Sequence, residues 1–147
     1  MQATSHDESN GRAILIIRVL TLMAVGRAMT LGWIHRVGDG GPGDPPEAWL
    51  MPLVGDAFVG ITALMVAMLL FRQLTMRTWT IAVVWTSIAA FDAFAALLVE
   101  VSVPWPDFVM LRLFGRGMFV AAAVLHLIVL WLLTRGSTRL RFATPVG

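Results

Sequence analysis

Six of the ionisable residues that interrupt otherwise apolar stretches stand out: Arg27, Asp56, Asp92, Glu100, Arg112 and Arg116. A charge at the centre of a bilayer costs at least ~2.5–3.5 kcal/mol on insertion scales, so several in one chain must pair, line a wet cavity or hold a ligand. Arginine suits the last task because its planar, permanently charged fork grips carboxylate, phosphate or carbonyl oxygens through parallel hydrogen bonds. Buried aspartates can pair with that fork or exchange protons and ions with a nearby aqueous phase. These six residues are the candidate ligand-binding set.

The elements that position them follow from hydropathy. The chain has 147 residues, 58% hydrophobic and 14% charged, which is too apolar for an ordinary soluble domain. Apolar stretches run over Ala13–Ile34, Ala48–Phe71, Trp79–Val103 and Phe108–Leu133, and each reaches the ~20 residues a helical span requires. This predicts an all-α integral membrane four-helix bundle with antiparallel, up-down spans, occupying residues 13–134 between a polar tail at 1–12 and a basic tail at 135–147. The first stretch is longer than the ~7–15 apolar residues of a secretory signal, and Arg18 and Arg27 interrupt it, so it reads as a mature helix. Arg12, Arg72, Arg77, Arg135, Arg139 and Arg141 fall in the tails and the second connection, whereas Arg36 alone falls in the other two connections. The positive-inside bias then places both termini in the cytoplasm, with a bacterial inner membrane as the expected location. The Gly-, Pro- and Asp-rich loop from Val37 to Glu47 suits an exposed turn on the opposite side.

Counting ~1.5 Å per residue from the expected outer ends puts Arg27 at ~12 Å, Asp56 at ~13 Å, Asp92 at ~16 Å, Arg112 at ~8 Å and Arg116 at ~13 Å, one slab in the outer half of the membrane. Helical spacing aligns Asp56 with Gly60, Ala63 and Ala67, a strip of small residues that allows close helix approach. Asp92 is flanked by Ala89, Ala95 and Ala96, while Arg112 and Arg116 share a face with Phe119 and Ala123. The layer is therefore expected to consist of interhelical ion pairs pointing into the bundle, with Asp92 and Arg116 as one pair. Two acids neutralise two of three arginines, which leaves Arg112 as a surplus cation within reach of an outer anion or of Glu100. Asp56-Ala57-Phe58 recurs as Asp92-Ala93-Phe94, and Gly26-Arg27-Ala28-Met29 resembles Gly115-Arg116-Gly117-Met118. This mirrored order differs from the repeats of secondary transporters.

Absent residues narrow the chemistry. Without Cys there are no disulfides, thiolate metal sites, Fe–S clusters or covalent c-type haem. Without Lys there is no retinal or pyridoxal Schiff base. His35 lies at the outer edge of the first span, whereas His126, ~28 Å along the last span from Asp107, falls near the cytoplasmic side. A shared haem or metal site is not expected, and His126 reads as a hydrogen-bonding residue of a helix interface. Nucleophile elbows, metalloprotease helices, phosphate loops and dinucleotide fingerprints are all missing, which argues against an enzyme. Trp33, Trp49, Trp79 and Trp105 near span ends suit interfacial anchors, and Trp105 between Pro104 and Pro106 suits the lip of an outer opening. The sequence pI of about 11.0 reflects a net charge of only +2 with no Tyr or Lys to titrate, so it does not point to nucleic acid.

The expected function is binding of a small anionic or amphipathic molecule, a lipid headgroup or a quinone, with membrane lipids and subunits of a membrane complex or a homo-oligomer as partners. A proton- or ion-coupled transporter or channel component is the alternative, and a purely structural assembly factor a third. No cofactor other than a quinone is expected.

Overall fold

The computed structural model describes residues 3–35, 37, 45–104 and 109–143, with side chains at 11–35, 37, 45, 47–104 and 116–143. The turn expected around Val37–Glu47, the Trp105 lip, the start of the last span at Phe108 and the side chain of Arg112 lie wholly or largely outside the described residues. Among those described, the regular structure is helical: α1 (Ala3–Met23), a 3-10 segment (Ala24–Thr30), α2 (Leu31–Ile34), a 3-10 turn (Pro46–Trp49), α3 (Leu50–Arg72), α4 (Met76–Ser102), α5 (Val109–Thr134) and α6 (Gly136–Ala143). Among the described residues four stretches are long and apolar enough to cross a membrane: Gly11–Ile34, Glu47–Arg72, Met76–Ser102 and Arg116–Thr134.

The boundaries have local causes. Proline opens the turn before α3, where a missing N–H costs nothing. Thr75 caps α4, its hydroxyl accepting from Thr78 N at 3.2 Å, after Gln73 has left helical geometry. Helix begins at Ala3, within the segment expected to be a polar tail, and the basic tail contains α6. Phe142 anchors α6 in the core, and Arg139 lies over the Trp79 ring at 5.0 Å, so apolar burial and a cation–π contact order it.

Two apolar clusters hold the spans together. One gathers Ile17, Leu70, Trp85, Val129, Leu133 and Phe142; the other gathers Val37, Trp49 and Leu53 against Val99 and Phe119. The first cluster is closed by polar ties at its end, where Arg18 Nε donates to Leu70 O at 2.9 Å and Trp79 Nε1 to Leu133 O at 2.8 Å. In the second, Trp49 Nε1 donates to Val103 O at 3.0 Å and its ring stacks on Phe119. Trp49 is fully buried, so it packs the bundle rather than sitting in the interface as the sequence suggested. Its indole N–H finds a carbonyl nearby, which permits that burial.

The first span is not one continuous α-helix. The seven residues Ala24–Thr30 are wound as 3-10 helix, a geometry that stretches the rise to ~2.0 Å per residue and often marks a strained or functional point. Thr30 Oγ1 lies 2.8 Å from Arg27 O and 3.2 Å from Leu53 O, positioned to donate to either, so the segment is tied to α3. Gly60 of α3 makes the approach feasible: a Cβ there would collide with the backbone of Arg27 and Ala28. The small-residue strip works as expected, with Asp56, Gly60, Ala63 and Ala67 buried while Phe58, Ile61, Met65 and Met68 face outward.

Candidate functional site

Between the two apolar clusters lies a polar layer centred on Arg27. The 3-10 segment carries its guanidinium, α3 contributes Asp56, α4 contributes Asp92 and the carbonyl of Ala89, and α5 contributes His126. Arg27 Nε donates to Asp56 Oδ1 at 2.6 Å, and its NH2 pairs with both Asp56 Oδ1 and Asp92 Oδ2, the latter at 2.5 Å. NH1 donates to Ala89 O at 3.3 Å and to His126 Nε2 at 3.2 Å. A guanidinium has five N–H donors and no acceptor, so all five are taken up by protein groups. Because Arg27 can only donate, Nε2 of His126 accepts, and the ring proton is assigned to Nδ1. Trp85 fixes the imidazole from behind, edge to face at 5.6 Å between centroids, and its own indole donates to Thr62 Oγ1 at 3.0 Å.

The backbone is fitted to these groups. A Cβ on Gly55 would overlap the carboxylate of Asp92, so glycine at that position lets α4 bring its acid against α3. Ala89, Ala93 and Ala96 keep the α4 face thin enough for the same purpose.

Charge is distributed differently from the sequence expectation. Two acids were expected to divide between two arginines, with Asp92 paired to Arg116; instead Arg27 holds both. Arg116 has a largely exposed side chain, 67% accessible, and stands 3.9 Å from the buried Glu100, outside the cluster. Arg112 belongs to α5, but its side chain is outside the described residues, so its expected role as surplus cation falls outside them too. Within the cluster one positive charge faces two acids, and the formal surplus is negative.

His126 is the residue that depth counting misplaced. It was assigned near the cytoplasmic side, yet it touches Arg27. The 3-10 winding adds only ~0.5 Å per residue to the depth of Arg27, and the long arginine side chain reaches on toward α5, so the contact shows that counting inward from Asp107 overestimated the depth of His126. Helix phase did hold the signal, because His126 lies ten residues beyond Arg116 on the face shared with Ala123.

On the side of the 3-10 segment away from α3 there is a cavity of about 230 Å³, bordered by Leu20, Met23, Ala24, Met118, Phe119, Ala121, Ala122 and Leu125, with Arg27, Asp56 and His126 at its polar end. Its walls are otherwise hydrocarbon, sulfur and one aromatic ring. Met23, Met118 and Ala121 also carry exposed surface, so the cavity opens outward between the first span and α5. Among the described residues no group of three or more His, Cys, Asp or Glu side chains is placed to hold a metal. Such an arrangement can receive a molecule with an apolar body and a polar head, the head meeting the charged layer and the body the methionines. Compared with known proteins, the chain matches no family model, no curated protein and no solved structure.

Proposed function

We propose that this protein is a multi-pass membrane protein that binds an amphipathic molecule entering sideways from the bilayer into the cavity between the first span and α5. The observation that carries the reading is the cavity itself: apolar walls, an opening on the outer surface, and a single polar end built from Arg27, Asp56 and His126. A structural ion-pair cluster alone needs no cavity beside it. The spans run up and down with both termini cytoplasmic, in a bacterial inner membrane. Arginine placement supports this orientation, and the ties of Arg18 to the end of α3 and of Trp79 to the end of α5 support the alternation of direction between spans. A lipid or a quinone is the class of ligand, and a partner subunit or a second copy is compatible with the apolar outer surface.

The ligand reading is tested by native mass spectrometry of the protein extracted from its own membrane, wild type against Ala122→Trp. Wild type carries an amphipathic adduct, and the variant, whose indole fills the cavity, loses it while melting at a similar temperature. Equal occupancy in both would place the adduct elsewhere and remove the support for this site. Since the chain has no Cys, single cysteines at Ser137 and in the Val37–Glu47 loop test orientation cleanly. Impermeant reagent outside intact cells labels the loop and not Ser137; the reverse result overturns the topology.

A second reading is supported by the uneven charge of the cluster, in which two carboxylates share one guanidinium. Asp56 and Asp92 would then exchange protons or ions in an oligomeric transporter. Proteoliposomes decide: a proton or sodium flux lost in Asp92→Asn supports transport, and no flux above empty vesicles removes it.

A further inference from the structure

Charge is divided unevenly between the two ends of the bundle. Toward the end where α3 passes to α4 and α5 to α6, the chain carries Arg12, Arg18, Arg72, Arg77, Arg135 and Arg139, against Asp7 and Glu8 near the start of α1. The carboxylates whose side chains are described lie elsewhere: Asp56 and Asp92 in the charged layer, Glu47 in the turn before α3 and Glu100 near the far end of α4. Arg72, Arg77, Arg135 and Arg139 are exposed, and among the described residues their side chains form no hydrogen bond or ion pair. Two of them are held in place all the same. Arg135 lies over the Trp131 ring at 3.7 Å and Arg139 over Trp79 at 5.0 Å, and Trp79 is itself fixed by its bond to Leu133 O. Stacking engages the face of a guanidinium, whereas its five N–H donors lie in its plane. Arg135 is thus oriented while its donors stay unspent.

The same surface is also apolar. Trp131 is 56% exposed, Phe71 51% and Leu140 65%, and Phe71 carries Arg18 at 5.1 Å from its ring centre. Helix α6 touches α1, α4 and α5; Thr138 and Phe142, four residues apart, turn inward, while Arg139 and Leu140 face out. Cations stacked on outward aromatic rings at the ends of apolar spans suit the boundary between hydrocarbon and headgroups. We propose that this end of the bundle is a binding surface for anionic phospholipid. The lipid phosphodiester accepts from the in-plane N–H groups of Arg135, its acyl chains lie against Trp131, and Arg72, Arg77 and Arg139 supply the surrounding positive field. A soluble acidic protein or a nucleic acid would neutralise the arginines but leave the outward rings and Leu140 uncovered. This surface shares no residue with the cavity and requires no particular orientation of the spans.

The test uses the full chain reconstituted in phosphatidylcholine vesicles, into which dibrominated phosphatidylglycerol or dibrominated phosphatidylcholine is titrated. Bromine quenches an indole it touches, and the part of the fluorescence that disappears in Trp131→Phe reports on this surface, so each variant is measured beside its own Trp131→Phe control. Phosphatidylcholine carries the same phosphodiester next to an ammonium, and the comparison therefore isolates net negative charge. In the wild type, phosphatidylglycerol should quench this component at the lower lipid fraction. Arg135→Gln should reduce that preference about fivefold, the ~1 kcal/mol that one basic side chain gains beside anionic lipid. Arg116→Gln, which removes an exposed arginine beside Glu100 and away from this surface, should leave the preference unchanged. Equal quenching of the wild type by the two lipids would overturn the proposal and leave the arginines to a soluble acidic partner. A preference that survives Arg135→Gln, or that falls as far in Arg116→Gln, would overturn it as well, because net charge and not this surface would then carry it.

Discussion

The 3-10 segment Ala24–Thr30 has two unlike neighbours. Toward α3 it is pressed against Gly60 so closely that no Cβ fits, and Thr30 adds a hydrogen bond to Leu53 O. Toward α5 it leaves a cavity bordered by Ala24 and Ala122. Both faces are made of small residues, so residue size alone does not distinguish them. What differs is the use of the space: on one side glycine admits a backbone, and on the other alanines line a void. Small-residue content in a membrane helix thus marks either a contact or a pocket, and the polar group beside it decides which reading matters. Arg27 belongs to both, since its ion pairs draw the segment onto α3 and α4 while its flank forms the cavity floor.

The largest effect should come from removing the group that both faces share. Arg27→Gln leaves Asp56 and Asp92 buried without their cation, and thermal unfolding in detergent should show a loss of ~3–5 kcal/mol. Adding Asp56→Asn and Asp92→Asn to that variant should recover most of the loss, because no uncompensated charge then remains. Losses that simply add across the three sites would contradict a shared cluster.

A smaller effect separates the two faces. Gly60→Ala forces the segment off α3, with overpacking of ~1–3 kcal/mol expected in the same assay. Gly26→Ala, on the segment itself, meets nothing within 4 Å and should be neutral or stabilising by ~0.5–1 kcal/mol. Equal destabilisation by both substitutions would mean that the contact with α3 is not tight. Ala122→Leu should change stability least, with cavity filling stabilising by up to ~0.5–2 kcal/mol where the fit is good, while removing ligand binding. A clear drop in melting temperature there would mean the space is needed for packing rather than for a ligand.

How much of this was legible in the sequence depends on the kind of signal. The four apolar stretches were, because length and hydropathy are local properties; so was the buried strip of Asp56, Gly60, Ala63 and Ala67, because helical phase fixes which residues share a face. The near-repeats Gly26-Arg27-Ala28 and Gly115-Arg116-Gly117 look alike in sequence and behave differently in the structure, one arginine clasped and the other largely exposed. Nothing in either tripeptide distinguishes them. The difference arises from Gly55 and Gly60, which bring α3 and α4 around Arg27 alone. His126 hydrogen-bonds across a helix interface as its sequence position suggested, but its depth and the cavity were missed for a related reason. A change from α to 3-10 winding alters depth without a distinctive sequence mark, and an empty volume is a property of how helices separate, not of any one of them. Trp49 was taken for an interfacial anchor because indoles at span ends usually are; its burial depends on the carbonyl of Val103 being 54 positions away in sequence and 3.0 Å away in space.

Methyl NMR of the methionines tests the central claim most directly. Of the nine methionines, Met23 and Met118 border the cavity, whereas Met65 and Met68 face outward from α3. With methyl-labelled protein in detergent, titration with decylhydroquinone should shift the Met23 and Met118 signals together along one saturable curve and leave Met65 and Met68 in place. Uniform shifts at all four, or movement at Met65 and Met68 while Met23 and Met118 stay still, would show partition onto the outer surface and contradict a ligand site between the first span and α5.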